Sequence, residues 1–103
     1  MTLKITKFKS HYKNYFPVGE GWRPLVEKLV DDIIKIDKNV EIAQCKEKFA
    51  GLRFYIYGGN KEINDIIEEA EQKSYKICEK CGKPGRLRKN GWLKTLCDKC
   101  FPY

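Results

Sequence analysis

Apolar residues recur at spacings of three and four from Trp22 through Leu25, Val26, Leu29, Val30, Ile33 and Ile34, the period of a helix that turns one stripe towards a core. Glu27, Lys28, Asp31, Asp32 and Lys35 fall on the opposite, water-facing side. Gly19-Glu20-Gly21 precedes this helix, and Pro24 suits its first turn, where the missing N–H is no loss. Before it, Leu3, Ile5 and Phe8 alternate weakly among lysines, and His11, Tyr12, Tyr15 and Phe16 follow, so residues 2–16 are expected to form a short strand or ordered arm. Asp37-Lys38-Asn39 breaks the helix. A strand is expected from Val40 to Lys46, with Val40, Ile42 and Gln44 on one side, then a turn over Glu47–Gly51.

The clearest strand is Leu52–Tyr57, with Leu52, Phe54 and Ile56 on one face and Arg53, Tyr55 and Tyr57 on the other. Gly58-Gly59 ends it, and Asn60 is a good N-cap for a second helix whose stripe is Ile63, Ile66, Ile67 and Ala70. The fold class is therefore α+β: a small α-β-β-α core with an N-terminal arm over residues 1–77. Packed on it, as one unit, is a C-terminal four-cysteine zinc ribbon over residues 78–103.

The ribbon rests on Cys78-x2-Cys81 and Cys97-x2-Cys100, a spacing that suits four thiolates around one Zn2+. Gly82 permits the tight turn after the first pair, and Asn90-Gly91 marks a hairpin between the pairs. Filled tetrahedral coordination leaves no place for substrate, so the metal is expected to be structural. Two disulfides, or one redox pair, are the competing readings. Cys45 reads as a small buried hydrophobe, and His11 has no partner that would make it a ligand or a base.

Composition agrees with a folded domain: of 103 residues, 42% are hydrophobic and 34% charged, with apolar positions spread along most of the chain. A metal staple makes sense at this size, because the core is thin. No apolar run is long enough to span a membrane and no signal-peptide core is present, so a cytoplasmic location is expected. No nucleophile–base set and no phosphate-cradling glycine loop stands out, so the protein is expected not to be an enzyme. The net charge of +7 is concentrated at the two ends of the chain, a balance that favours phosphate-bearing partners.

Two clusters combine cations with flat rings. The first is Lys46, Lys48, Arg53, Tyr55 and Tyr57; the second, on the ribbon hairpin, is Lys83, Arg86, Arg88, Lys89, Trp92 and Lys94. Cations meet phosphate while rings stack on bases. The first cluster is equally suited to a homo-oligomer interface. The second is equally a solvated hairpin with Trp92 packed on the core.

The strings Gly21-Trp22-Arg23-Pro24-Leu25-Val26, Lys46-Glu47-Lys48-Phe49-Ala50-Gly51-Leu52-Arg53-Phe54-Tyr55, Cys78-Glu79-Lys80-Cys81-Gly82-Lys83-Pro84-Gly85-Arg86-Leu87-Arg88 and Gly91-Trp92-Leu93-Lys94-Thr95-Leu96-Cys97-Asp98 together resemble a family of small proteins of bacteriophages and bacteria. The resemblance covers roughly residues 19–100 and supports the zinc site without implying a function. A looser likeness is to phage anti-defence sponges, which sequester the cyclic nucleotide signals of CBASS immunity; a zinc ribbon is a departure from them. That likeness implies non-catalytic capture of a cyclic di- or trinucleotide, and the clusters suit it physically, with Lys46, Lys48 and Arg53 meeting phosphates and Tyr55, Tyr57 or Trp92 stacking on bases. The alternatives are a zinc-ribbon protein binding DNA or RNA through Arg86, Arg88, Lys89 and Lys94, and an inhibitory protein-interaction module.

Overall fold

In the computed structural model, which describes residues 3–9 and 18–101, helix α1 runs Arg23–Ile36 behind a single 3-10 turn, Glu20–Trp22, with Pro24 in its first turn. Its expected stripe is the buried one: Val26, Leu29, Val30 and Ile33 face inward, and Trp22 is fully buried at its start. Helix α2 runs Lys61–Ser74, and the Asn60 side chain accepts the Ile63 N–H at 3.0 Å as an N-cap. The expected positions of His11, Tyr12, Tyr15 and Phe16 lie outside the described residues, as do the last two residues of the ribbon. The described part of the arm is a two-residue strand, β1 (Leu3–Lys4), followed by a 3-10 turn over Ile5–Lys7 that buries Ile5.

Strands β2 (Glu41–Lys48) and β3 (Gly51–Tyr57) form an antiparallel hairpin, and β1 adds to the other edge of β2 in the order β1-β2-β3. The register shifts between Ile42 and Gln44. That irregularity corrects the expected alternation: beyond it Cys45, not Gln44, joins Ile42 on the buried side, and Gln44 is exposed. The connection is also shorter than expected. Lys48 pairs with Gly51, so the turn is only Phe49 and Ala50, both left-handed at φ 53° and 72°. The two helices cover one face of the sheet, where Leu52, Phe54, Ile42 and Cys45 meet the stripes of α1 and α2 in one core.

The outer edge of β3 is closed by α2. The Leu52 N–H donates to Ser74 Oγ at 2.9 Å and the Phe54 N–H to Glu71 Oε2 at 2.9 Å, so two groups that could recruit another strand are satisfied by side chains. Ser74 is fully buried and its hydroxyl donates to the Glu71 carbonyl at 2.5 Å. Ser74→Ala is expected to destabilise the fold by about 1–3 kcal/mol, the range for a buried donor left without a partner; urea unfolding measures it, and an unchanged midpoint would show that this edge bond contributes nothing.

A second sheet, β4 (Arg86–Asn90) and β5 (Trp92–Leu96), makes the ribbon hairpin, with Asn90 opposite Trp92 and Gly91 at the tip. Among the described residues no helix is long and apolar enough to cross a membrane.

Candidate metal centre and open sheet face

Cys78, Cys81, Cys97 and Cys100 converge with all four Sγ atoms within 4.8 Å of one another. Tetrahedral ligation at a metal–sulfur distance of about 2.3 Å requires sulfur–sulfur edges of roughly 3.8 Å, and Cys81 and Cys97 stand 3.5 Å apart. That is far from bonding distance for a disulfide, and all five cysteines are free thiols. The set could hold a metal ion.

Backbone geometry favours thiolates. Burial opposes ionisation of Cys78, but N–H groups of Cys97, Cys81 and Lys80 outweigh it and hold the thiol down to about 6. N–H groups led by that of Cys100 lower Cys97 in the same way. Burial first, then hydrogen bonds with the neighbouring thiols and the charge on Cys78, push Cys100 up to about 12, a cost that a bound cation would offset. Gly82, at φ 86°, makes the turn of the first knuckle as expected, with its N–H on the Cys78 carbonyl at 2.9 Å. Cys45 is a different kind of thiol: it is buried, and desolvation pushes it up to about 12, out of the reactive range.

The segment before α1 straps over the first knuckle. The Gly21 N–H donates to the Glu79 carbonyl at 2.7 Å, the Gly19 N–H to the Glu79 carboxylate at 3.1 Å, and the Trp22 indole N–H to the Ile77 carbonyl at 2.8 Å. A Cβ on Gly21 would run into the carbonyl oxygen of Cys78 and the N–H of Gly82. From the other side, the buried Thr95 hydroxyl donates to the Ala50 carbonyl at 2.8 Å, and Lys94 Nζ lies 3.5 Å from both Glu47 and Glu79. The ribbon therefore grips both the entrance to α1 and the tip of the β2–β3 hairpin.

Three of the ribbon cations, Arg86, Arg88 and Lys94, are paired with carboxylates. Arg88 is buried: its Nε donates to the Leu96 carbonyl at 3.1 Å, its Nη2 meets Asp98 at 2.6 Å, and its guanidinium lies 4.7 Å from the Phe101 ring centroid. Arg88 thus braces the second knuckle. Arg86 is exposed and lies 3.6 Å from the same carboxylate. Lys83 and Lys89 are exposed. Trp92 is 73% exposed, so it does not pack on the core; it stands at a groove of about 370 Å³ lined also by Glu20, Glu79, Lys80, Lys94 and Leu96.

Among the described residues no element covers the second face of the main sheet, and the pairing brings the first cluster together on it. Lys46 lies opposite Arg53 and Gln44 opposite Tyr55. Lys46 Nζ stands 6.0 Å from the Tyr55 ring centroid, and Tyr55 and Tyr57 are exposed. Lys48 continues the same side of β2 towards the turn. Among the described residues none of Lys46, Lys48 and Arg53 forms an ion pair with a carboxylate.

Sequence reasoning missed Tyr75. Its ring packs where a side chain on Gly51 would stand, and the Arg53 guanidinium lies 5.9 Å from the ring centroid, so Tyr75 reaches round the edge of β3 beside the cluster. A hydrogen bond to Tyr75 raises the Arg53 pKa further. The signal was the glycine at the first position of an otherwise bulky strand. Comparison of the chain with known protein families, with curated proteins and with solved structures finds no match.

Proposed function

We propose that the protein is a non-catalytic binder that captures a phosphate-bearing nucleotide ligand on the open face of its sheet. The observation that carries this reading is the pairing of Lys46 with Arg53 beside Tyr55, Tyr57 and Lys48, on a face left uncovered by the helices. These cations have no carboxylate partner among the described residues, whereas Arg86, Arg88 and Lys94 of the ribbon do. Phosphate would therefore meet Arg53, Lys46 and Lys48, and bases would stack on the tyrosines. A cyclic di- or trinucleotide immune signal is one ligand of this description, and holding it without turnover would make the protein a sponge.

The four-thiolate set is that of a structural Zn2+ site, and we assign zinc to it. Bound there, zinc would neutralise the thiolates and tie the two knuckles together, with no open coordination position for chemistry.

Calorimetric titration of the metal-loaded protein with cyclic di- and trinucleotides, short single strands and a DNA duplex tests the reading. Saturable binding of a nucleotide ligand, recovered intact after denaturation, is expected. Arg53→Ala should weaken it tenfold or more, about the 1.5–3 kcal/mol of a charged hydrogen bond, while Arg86→Ala should change it little. The reverse pattern would move the site to the ribbon, and silence across the panel would remove the proposal.

A further inference from the structure

Resting on that reading, we infer that the ligand is a single-stranded nucleic acid laid along the β2–β3 hairpin, with Phe49 and Tyr75 as stacking platforms beyond the tyrosines of β3. Three rings follow one another along the open face, Tyr57, Tyr55 and Tyr75 beside Gly51, and a fourth, Phe49, stands exposed in the turn beyond them. Cations alternate with them. Lys46 lies by Tyr55, Arg53 by Tyr75, and Lys48 Nζ stands 5.5 Å from the Phe49 ring centroid.

Among the described residues Phe49 belongs to neither apolar cluster. It is 65% exposed and sits in a two-residue turn whose left-handed conformation suits Asn-Gly, so a phenylalanine there lowers stability and gives the core nothing. A ring held out at such a position is accounted for by something that stacks on it. Gly51 tells the same story from the other side, since its missing side chain is what lets the Tyr75 ring lie against the sheet.

Length chooses between ligands. From Tyr57 to Gly51 the strand covers ~20 Å at roughly 3.4 Å per residue, and Phe49 lies beyond that. The bases of one cyclic dinucleotide cannot reach rings at both ends. A strand of a few nucleotides can, and an open sheet face bearing aromatic residues typically stacks two or three bases. A duplex cannot, because its base faces are already stacked on one another.

The test is fluorescence anisotropy with labelled hexathymidylate and hexauridylate, competed by unlabelled hexamer, a cyclic dinucleotide and a hairpin duplex. Hexamer binding is expected to weaken with salt at a log–log slope near −2, from about three phosphate contacts at ~0.7 each. Phe49→Gly should weaken it roughly five- to hundredfold, the range for losing one base–ring stack, while thermal unfolding shows the variant at least as stable as the parent. Tyr75→Leu should weaken it by a similar factor. The inference is overturned if both variants bind the hexamers as the parent does, or if the duplex competes as well as the hexamer. If the cyclic dinucleotide binds and the hexamers do not, the inference fails while nucleotide capture on this face survives. Failure of all these ligands to bind would overturn both.

Discussion

Gly21→Ala is expected to cost the protein about 3 kcal/mol or more, a large share of the ~5–15 kcal/mol that holds a typical domain together. The methyl group would be directed at backbone, the Cys78 carbonyl and the Gly82 N–H, rather than at a side chain that could swing aside. Relief requires the strap to lift from the knuckle. That would break the bond from the Gly21 N–H to the Glu79 carbonyl and pull at the fully buried Trp22, whose indole is tied to Ile77. Core and ribbon should suffer together: a fall of roughly 4–8 °C in Tm for each kcal/mol lost, accompanied by weaker metal retention in a chelator challenge. A variant with unchanged Tm and unchanged metal retention would show that the strap is not seated on the knuckle.

Removing the metal should have a larger effect still. A structural Zn2+ site is worth an apparent 10–16 kcal/mol or so at neutral pH, comparable to the whole stability of a domain of this size. The apolar cluster inside the ribbon is small, built on Cys78, Leu96 and Cys97 with Cys100 and Phe101 against it, so apolar burial alone contributes little to holding it closed. Treatment with a strong chelator, or Cys97→Ser, is expected to abolish the ribbon's tertiary near-UV signal and to lower the unfolding midpoint of the core, because Thr95 and Lys94 would release the hairpin tip. Mass spectrometry under native conditions should find one zinc per chain in the parent and none in the chelated sample. A chelated protein whose core melts as before would mean that the ribbon is a passenger.

The parts of this architecture that could be read from the chain are those specified by local pattern. The stripe Val26-Leu29-Val30-Ile33 has one helical solution, Asn60 has the side chain a cap needs, and two Cys-x2-Cys pairs bring their own geometry. What was illegible depends on contacts distant in sequence or on a broken rule. The parity of β2 changes at an irregularity that no residue between Ile42 and Gln44 announces. Phe49-Ala50 lacks turn chemistry, so the tight connection was invisible. Arg86 and Arg88 stand together in the expected hairpin cluster, yet one is exposed and the other buried, since the difference lies in Leu96, Asp98 and Phe101.

The bond between Thr95 and Ala50 joins residues 45 positions apart, and this has a consequence for the order of events during synthesis. Ala50 leaves the ribosome before Thr95, so the hairpin tip, with its two left-handed residues, is made before the clasp that secures it. The last two thiols arrive later than Thr95, with Cys97 and Cys100. If the four thiols close only around an ion, as assigned above, the newborn chain would have a completed core sequence but an unfastened tip until that ion arrives, open to proteases in proportion to the time it spends ajar. The amount of mature protein in a cell would then follow the supply of free metal as well as the rate of translation.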